Sequence, residues 1–475
     1  MFQGVGHLGL IELPGLWTLV QASRLALGWP VERRFSRLSA ADLLNLAVET
    51  EDSPANEGAV LILDGSRWPD GGQMYRQQLE VRLAGVPQLR RKIYRPGLLG
   101  GRPLWIDDPS FDVERHVDQA EVAPPGDEAA LLQMAGQLMV PLLDRSKPLW
   151  HMWFVTGLPH GRLAVVIKLH HVMADGLAAL QLLASIVSED PAPPAQITAP
   201  SWGELACDNL RTRLGALRQL NIVRLVATTV RGTYLMLSKS RNAPRTSLNA
   251  PIGPNRRLAL LRLDLAEVKQ VAHAHGGKVN DVILALATAG LRTLLISRGE
   301  PVDGVRLHAG IAVSLRRNTK QADGGNRTGA YMVKLPAGES DSVARLRQIA
   351  AASVQAKGLQ LNTAGNTFLI LLARLGLVRR FTRHQHFTNV MESNIAGPQD
   401  VISLLGAPVV DLIPLSNLTG NLALGFLALS YNGRLNLTVQ ADAGLYPDLP
   451  VLVDSMRQEW AALIDACSYH SETGH

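Results

Sequence analysis

Strand-like and helix-like runs alternate on both sides of a proline-broken, acid-free stretch near the middle of the chain, and that repetition confines the fold to two α/β halves. In the first half, Glu57–Leu63 has the apolar density of a strand, Met74–Leu83 has helix-forming composition, and Leu131–Val140 reads as a helix ended by Pro141. Two β-rich runs follow, His151–Thr156 and Arg162–His170, and then Gly176–Ser188 has helical length. Pro191, Pro193, Pro194 and Pro200 break the chain. The second half resumes with a strand at Leu258–Leu263, a helix at Val279–Leu295 and a strand at Val305–Leu315. It continues with helices near Val343–Gln355 and Phe368–Arg383, strand-rich Val409–Gln440, and a helix over Leu449–Cys467.

The expected division is an apolar extension over residues 1–34, a first domain over 35–200, a basic segment over 201–250 and a second domain over 251–475, with a cleft between the halves as the default site. From Asn209 to Arg245 there is no acidic residue but there are eight basic ones, and Arg213, Arg224 and Arg231 share a helical face at about 100° per residue. That stretch reads either as a surface for anionic lipid or as a solvated helix between domains.

Charge and composition narrow the partners. The net charge of +6 suits an anionic substrate or membrane surface. Nucleic acid is not expected, because aromatic residues are only 5% and no zinc-finger or RNP pattern occurs. Cys207 and Cys467 are too few for a disulfide framework or a four-thiolate zinc site, which fits a reducing compartment. The apolar stretch Leu8–Gly28 is interrupted by Glu12, Pro14 and Arg24 and has no basic region before it, so neither a signal peptide nor a membrane span is expected.

Gly4-Val5-Gly6-His7-Leu8-Gly9 spells GxGxxG, but no strand precedes it and no βαβ unit surrounds it. Phosphate-loop and GxSxG signatures are absent, so covalent serine chemistry is not indicated. The informative run is His170-His171-Val172-Met173-Ala174-Asp175-Gly176, placed where a strand ends and a helix begins. Neighbouring strand residues point to opposite faces, so one histidine can face a cleft while the other supports it. A cleft-facing imidazole can take a proton from an alcohol attacking an acyl group, Asp175 can fix local geometry, and Gly176 lets substrate or backbone approach closely. The rival readings are a metal site, for which HExxH and a third ligand are missing, and two structural histidines.

These residues match in full the HHxxxDG motif of the CoA-dependent acyltransferase superfamily. Within that superfamily the chain resembles the bacterial wax ester synthase/diacylglycerol acyltransferase family from about Phe35 onward. Leu38-Ser39 with Asp42, Pro148-Leu149-Trp150, Asn280-Asp281, Val313 to Arg316, Ser393-Asn394 with Gly397-Pro398, and Ser430-Tyr431 with Gly433 carry the resemblance. It departs at His151, where an acidic residue is usual, and at Ala396, where proline is common.

The resemblance implies two chloramphenicol-acetyltransferase-like α/β domains with mixed sheets and a substrate tunnel between them. It implies His171 as general base, with His170 supporting, and transfer of an acyl group from acyl-CoA to diacylglycerol or a long-chain alcohol. Asn280, Ser393 and Asn394 are the substrate-side candidates. Asn280-Asp281 also reads as an N-cap pair, and Trp150 as packing rather than chemistry. No permanently bound cofactor and no metal are expected. The protein is expected in the cytoplasm, in peripheral contact with the inner membrane or lipid droplets, and a non-catalytic lipid-surface protein is the alternative from another class.

Overall fold

The computed structural model describes residues 35–67, 78–79, 82–83, 86–97, 99–174, 176–187, 197–218, 243–314, 328–357 and 364–472. The apolar extension, most of the expected Met74–Leu83 helix, Arg224 and Arg231 of the basic segment, Asp175 and Arg316 lie outside them. Leu38–His475 forms a single compact unit.

Helix α1, Ala40–Val48, begins with a reciprocal capping box in which Asp42 N donates to Ser39 Oγ at 3.1 Å and Ser39 N donates to Asp42 Oδ2 at 2.7 Å. The first sheet uses β1 (Asn56–Asp64), β4 (Val117–Glu121), β5 (Trp150–Thr156) and β6 (Arg162–His170), while β2 (Arg91–Tyr94) and β3 (Leu104–Asp107) form a separate hairpin. Helix α2, Glu128–Met139, lies on one face, against Val60, Ala164 and Val166. Helix α3, Gly176–Val187, covers the other, where Leu182 and Leu183 meet Ile167 and Leu169. Helix α4, Trp202–Arg218, holds Arg211 and Arg213 of the basic segment.

The second sheet is built from β7 (Arg256–Asp264), β8 (Arg306–Ser314), β9 (Thr328–Pro336), β10 (Val390–Ala396), β13 (Leu424–Tyr431) and β14 (Arg434–Asp442) in the order β7-β14-β13-β10-β8-β9. It is mixed, with β10 parallel to both β8 and β13 and the remaining pairs antiparallel. Helices α5 (Leu265–Ala274), α6 (Val279–Ser297), α7 (Ser342–Lys357) and α10 (Leu449–Glu472) contribute to its core. Helix α6 has the length and hydropathy of a membrane span, but 72% of its most apolar window is buried inside the protein, as suits a core helix.

Two differences from the sequence reading matter for the site. The strands β11 (Ser403–Leu404) and β12 (Ala407–Leu415) lie in the stretch assigned to the second domain, yet they complete the first sheet, whose order is β11-β12-β1-β6-β5-β4. β12 pairs antiparallel with β1, from Gly58 opposite Leu415 to Leu63 opposite Val409, and most of its residues are buried there. An ion-pair cluster secures the crossing: Arg262 on β7 meets Asp411 on β12 at 2.7 Å and Glu128 on α2 at 2.5 Å.

The second difference is that the helical run Phe368–Arg383 is two helices, α8 (Ala364–Arg374) and α9 (Val378–Arg383). Gly376 takes a left-handed φ of 70°. Its N–H donates to Ala373 O at 3.1 Å and the Leu377 N–H donates to Leu372 O at 2.8 Å, a glycine C-cap that stops the first helix.

Candidate active site

Strand β6 runs antiparallel to β1 and β5 and delivers the histidine pair at its end. The alternation that turns Ile167 and Leu169 to one face turns Lys168 and His170 to the other. His170 is fully buried: its Nδ1 accepts from Val172 N at 3.0 Å, and its Nε2 lies 3.2 Å from Glu49 Oε1. With Nδ1 accepting, Nε2 carries the proton and faces the carboxylate.

Glu49 follows the last turn of α1 and also takes a 2.5 Å contact from Arg145 Nη2 and a 3.1 Å hydrogen bond from Ala55 N. Burial alone raises its pKa, but His170, Arg145 and the Ala55 N–H outweigh that cost and bring it down to about 2. A depressed carboxylate stabilises the fold above its unfolded value of 4.5, and that stabilisation is lost as pH falls toward 2. Glu49→Gln is therefore expected to lower the unfolding free energy at neutral pH by about 3 kcal/mol. Denaturant titrations should show the deficit constant above pH 4.5 and shrinking below it.

His171 sits one residue beyond the strand, with its N–H bonded to Ala55 O at 2.7 Å, and its half-buried side chain lines a cavity of about 460 Å³. Both halves build the wall. Glu57, Gly58 and Ala59 come from β1, and Gly176, Ala179, Leu180 and Leu183 from α3. The second half contributes Met391, Ser393 and Ile395 from β10 and Leu427 and Leu429 from β13. Glu57 Oε2 lies 3.9 Å from His171 Nε2. Gly176 meets Ile395 of the opposing half so closely that a Cβ there would lie 2.5 Å from Ile395 Cδ1.

The substrate-side candidates separate. Ser393 lines the cavity, whereas Asn280 and Asn394 are not among its wall residues. Asn394 shares a strand face with Val390 and Glu392, and Val390 packs in the helix-covered core. Helix α6 starts at Val279, and Asp281, rather than Asn280, caps it by accepting from Lys278 N at 2.8 Å. Trp150 is buried, donates its indole N–H to Leu89 O at 2.7 Å and stacks on His116 at 4.6 Å, which is packing.

Three polar residues at or behind the wall are missing from the sequence reading. Glu57 lies in an otherwise apolar strand run. Asn45 on α1 lines the cavity and has a buried Nδ2 without a hydrogen bond among the described residues. Glu392 is buried beside Ile311 of β8 and Phe426 of β13 in the strand register, and neither of its oxygens has a well-formed hydrogen bond among the described residues. Burial pushes its pKa up to about 8; nearby Asn280 opposes the rise and Asp281 adds to it.

Residues 38–283 match the profile described as the wax ester synthase/diacylglycerol acyltransferase catalytic domain, and residues 324–463 match the WS/DGAT C-terminal domain. A Mycobacterium tuberculosis protein named as a diacylglycerol O-acyltransferase is 30% identical over 468 residues, covering 93% of this chain and 92% of that protein. A Mycobacterium bovis protein with the same designation is 31% identical over 468 residues, covering 90% of each. The solved wax ester synthase/diacylglycerol acyltransferase from Marinobacter aquaeolei shares the fold, with a TM-score of 0.67 at 23% identity over 91% of this chain and 100% of that one. The first condensation domain of the CDA synthetase is also similar, with a TM-score of 0.54 at 15% identity over 91% of this chain and 96% of that one.

Proposed function

Because the chain belongs to the wax ester synthase/diacylglycerol acyltransferase family, we propose that this acyltransferase moves a long-chain acyl group from acyl-CoA to the free hydroxyl of diacylglycerol, giving triacylglycerol and CoA. The observation that carries the reading is His171 on the wall of an apolar cavity that both halves build. An alkyl chain gains by leaving water for such walls, and the hydroxyl is then held beside an imidazole.

His171 takes the hydroxyl proton as the oxygen attacks the thioester carbonyl, and the tetrahedral adduct collapses with cleavage of the C–S bond. The imidazolium returns its proton to the CoA thiolate, so no acyl-enzyme forms. Glu57 stabilises the imidazolium in between, from 3.9 Å. The Asn45 amide and the Ser393 hydroxyl are the wall donors for the developing oxyanion. Glu49 acts through His170, whose buried ring holds the end of β6 in place. The protein works at the surface of a membrane or lipid droplet, where its acceptor is dissolved.

Purified protein supplied with labelled acyl-CoA and, separately, diacylglycerol or a long-chain alcohol tests the acceptor. Labelled triacylglycerol should form with one equivalent of free thiol per ester. A preference of tenfold or more for the alcohol, about 1.4 kcal/mol in transition-state binding, would replace the diacylglycerol assignment with wax ester synthesis.

A further inference from the structure

Apart from the basic, acid-free segment in the middle of the sequence, another acid-free run that carries arginines is better placed. No Asp or Glu occurs between Asp341 and Glu392, while Arg374, Arg379, Arg380 and Arg383 fall on or beside α8 and α9. The glycine stop at Gly376 turns the chain there, and the leucines around it stay in solvent: Leu371 is 45% exposed, Leu375 60% and Leu377 47%. Arg374, Arg380 and Arg383 are exposed among them. Arg379 instead donates to Ala47 O at 2.9 Å and ties α9 to α1.

Apolar residues in a protein's surface normally scatter singly, whereas here three exposed leucines and three exposed arginines fall within one short run. Leucine gains by entering acyl chains, and arginine gains beside anionic headgroups while laying its stem along the apolar boundary. The location supplies the second argument. The inner sides of these elements contribute Leu369 and Thr382 to the cavity wall, next to Leu44, Asn45 and Val48 of α1. The surface and the cavity are thus the outer and inner sides of the same helices.

We propose that the exposed face from Leu371 to Arg383 seats the protein on an anionic lipid surface, so that a lipid acceptor passes from the bilayer to the cavity through the α1, α8 and α9 wall. The proposal rests on the lipid-acceptor reading above and adds the surface that meets the lipid. Positive charge selects bilayers containing phosphatidylglycerol over neutral ones, and the leucines hold the protein there once it arrives.

The test is co-flotation of the full chain with vesicles of phosphatidylcholine, alone or mixed with phosphatidylglycerol. Binding should favour the mixed vesicles and weaken with added salt, because surface charges are screened beyond about 10 Å at 0.1 M. Arg374→Gln, Arg380→Gln and Arg383→Gln combined should weaken binding to mixed vesicles by about ten- to hundredfold. The triple Leu371→Ser, Leu375→Ser and Leu377→Ser should weaken it after added salt has removed the charge term. Both variants should keep wild-type turnover with a short-chain diacylglycerol presented in solution, which also reports that they fold.

Unchanged flotation of both triples would overturn the surface assignment, as would equal binding to neutral vesicles, or tighter binding of the face to a labelled oligonucleotide than to mixed vesicles. Failure of the wild type to use the soluble diacylglycerol would overturn the acceptor reading instead. The two failures are read in separate assays.

Discussion

His171→Ala is expected to turn over acyl-CoA and diacylglycerol about 10²- to 10⁴-fold more slowly than the wild type, the usual contribution of a positioned general base. Its thermal unfolding stays close to that of the wild type, because His171 is half-exposed on a cavity wall rather than packed in a core. The informative pair is His171→Ala against His170→Ala. His170 is fully enclosed between Val172 N and Glu49, so its loss leaves a buried carboxylate short of a partner and reduces stability along with activity. Activity falling without stability at position 171, and both falling together at position 170, is the expected pattern. Equal activity of His171→Ala and wild type in a coupled thiol-release assay would remove His171 from the chemistry.

The second large effect concerns Glu392, which has no part in the proton transfers. Unfolded, a glutamate ionises around 4.5, whereas in the folded protein Glu392 keeps its proton up to about 8. Between those values the native state binds the extra proton, so stability falls as pH rises through the window, with roughly a tenfold change in the folding equilibrium for each pH unit. Tyr331 on β9 feels the same surroundings: burial, Glu392 and Asp281 together push its hydroxyl up to about 12. Glu392→Gln stays neutral throughout and escapes the penalty. Its melting temperature relative to wild type should climb from pH 4.5 to about 8 and level off above that. A difference that is flat with pH would mean that Glu392 ionises normally in the native state.

Much of the scaffold is legible in the chain because its signals are local. The strand into His170 and the helix from Gly176 are marked by the apolar run Leu163–Ile167, a histidine pair and a glycine, and they appear as β6 and α3. The α6 and α10 helices are long enough for pattern alone to place. What the sequence hides depends on pairing across the chain. Glu49 reaches His170 only because α1 packs beside the end of β6, and no spacing in the sequence joins the two. Glu57 sits in an apolar strand run whose β-propensity masks a single carboxylate, and nothing local in Val390–Ala396 marks Glu392 as buried. β12 reads as part of the second sheet because strand identity is visible locally while strand partners are not. Gly376 stands within the run Phe368–Arg383, but a single glycine inside a helical pattern is tolerated and does not by itself mark a stop.

The passage of β12 into the first sheet also orders the protein's birth. A ribosome releases β1 early and β12 only after most of the chain has been made. Until then the first sheet has an open, apolar margin at β1, the kind of margin that invites association with other nascent chains. Closure of that margin requires contacts of very long sequence separation, so the histidine-bearing half, although synthesised first, stays incomplete until β12 emerges. Fragments that stop before Ser403 inherit that open margin permanently.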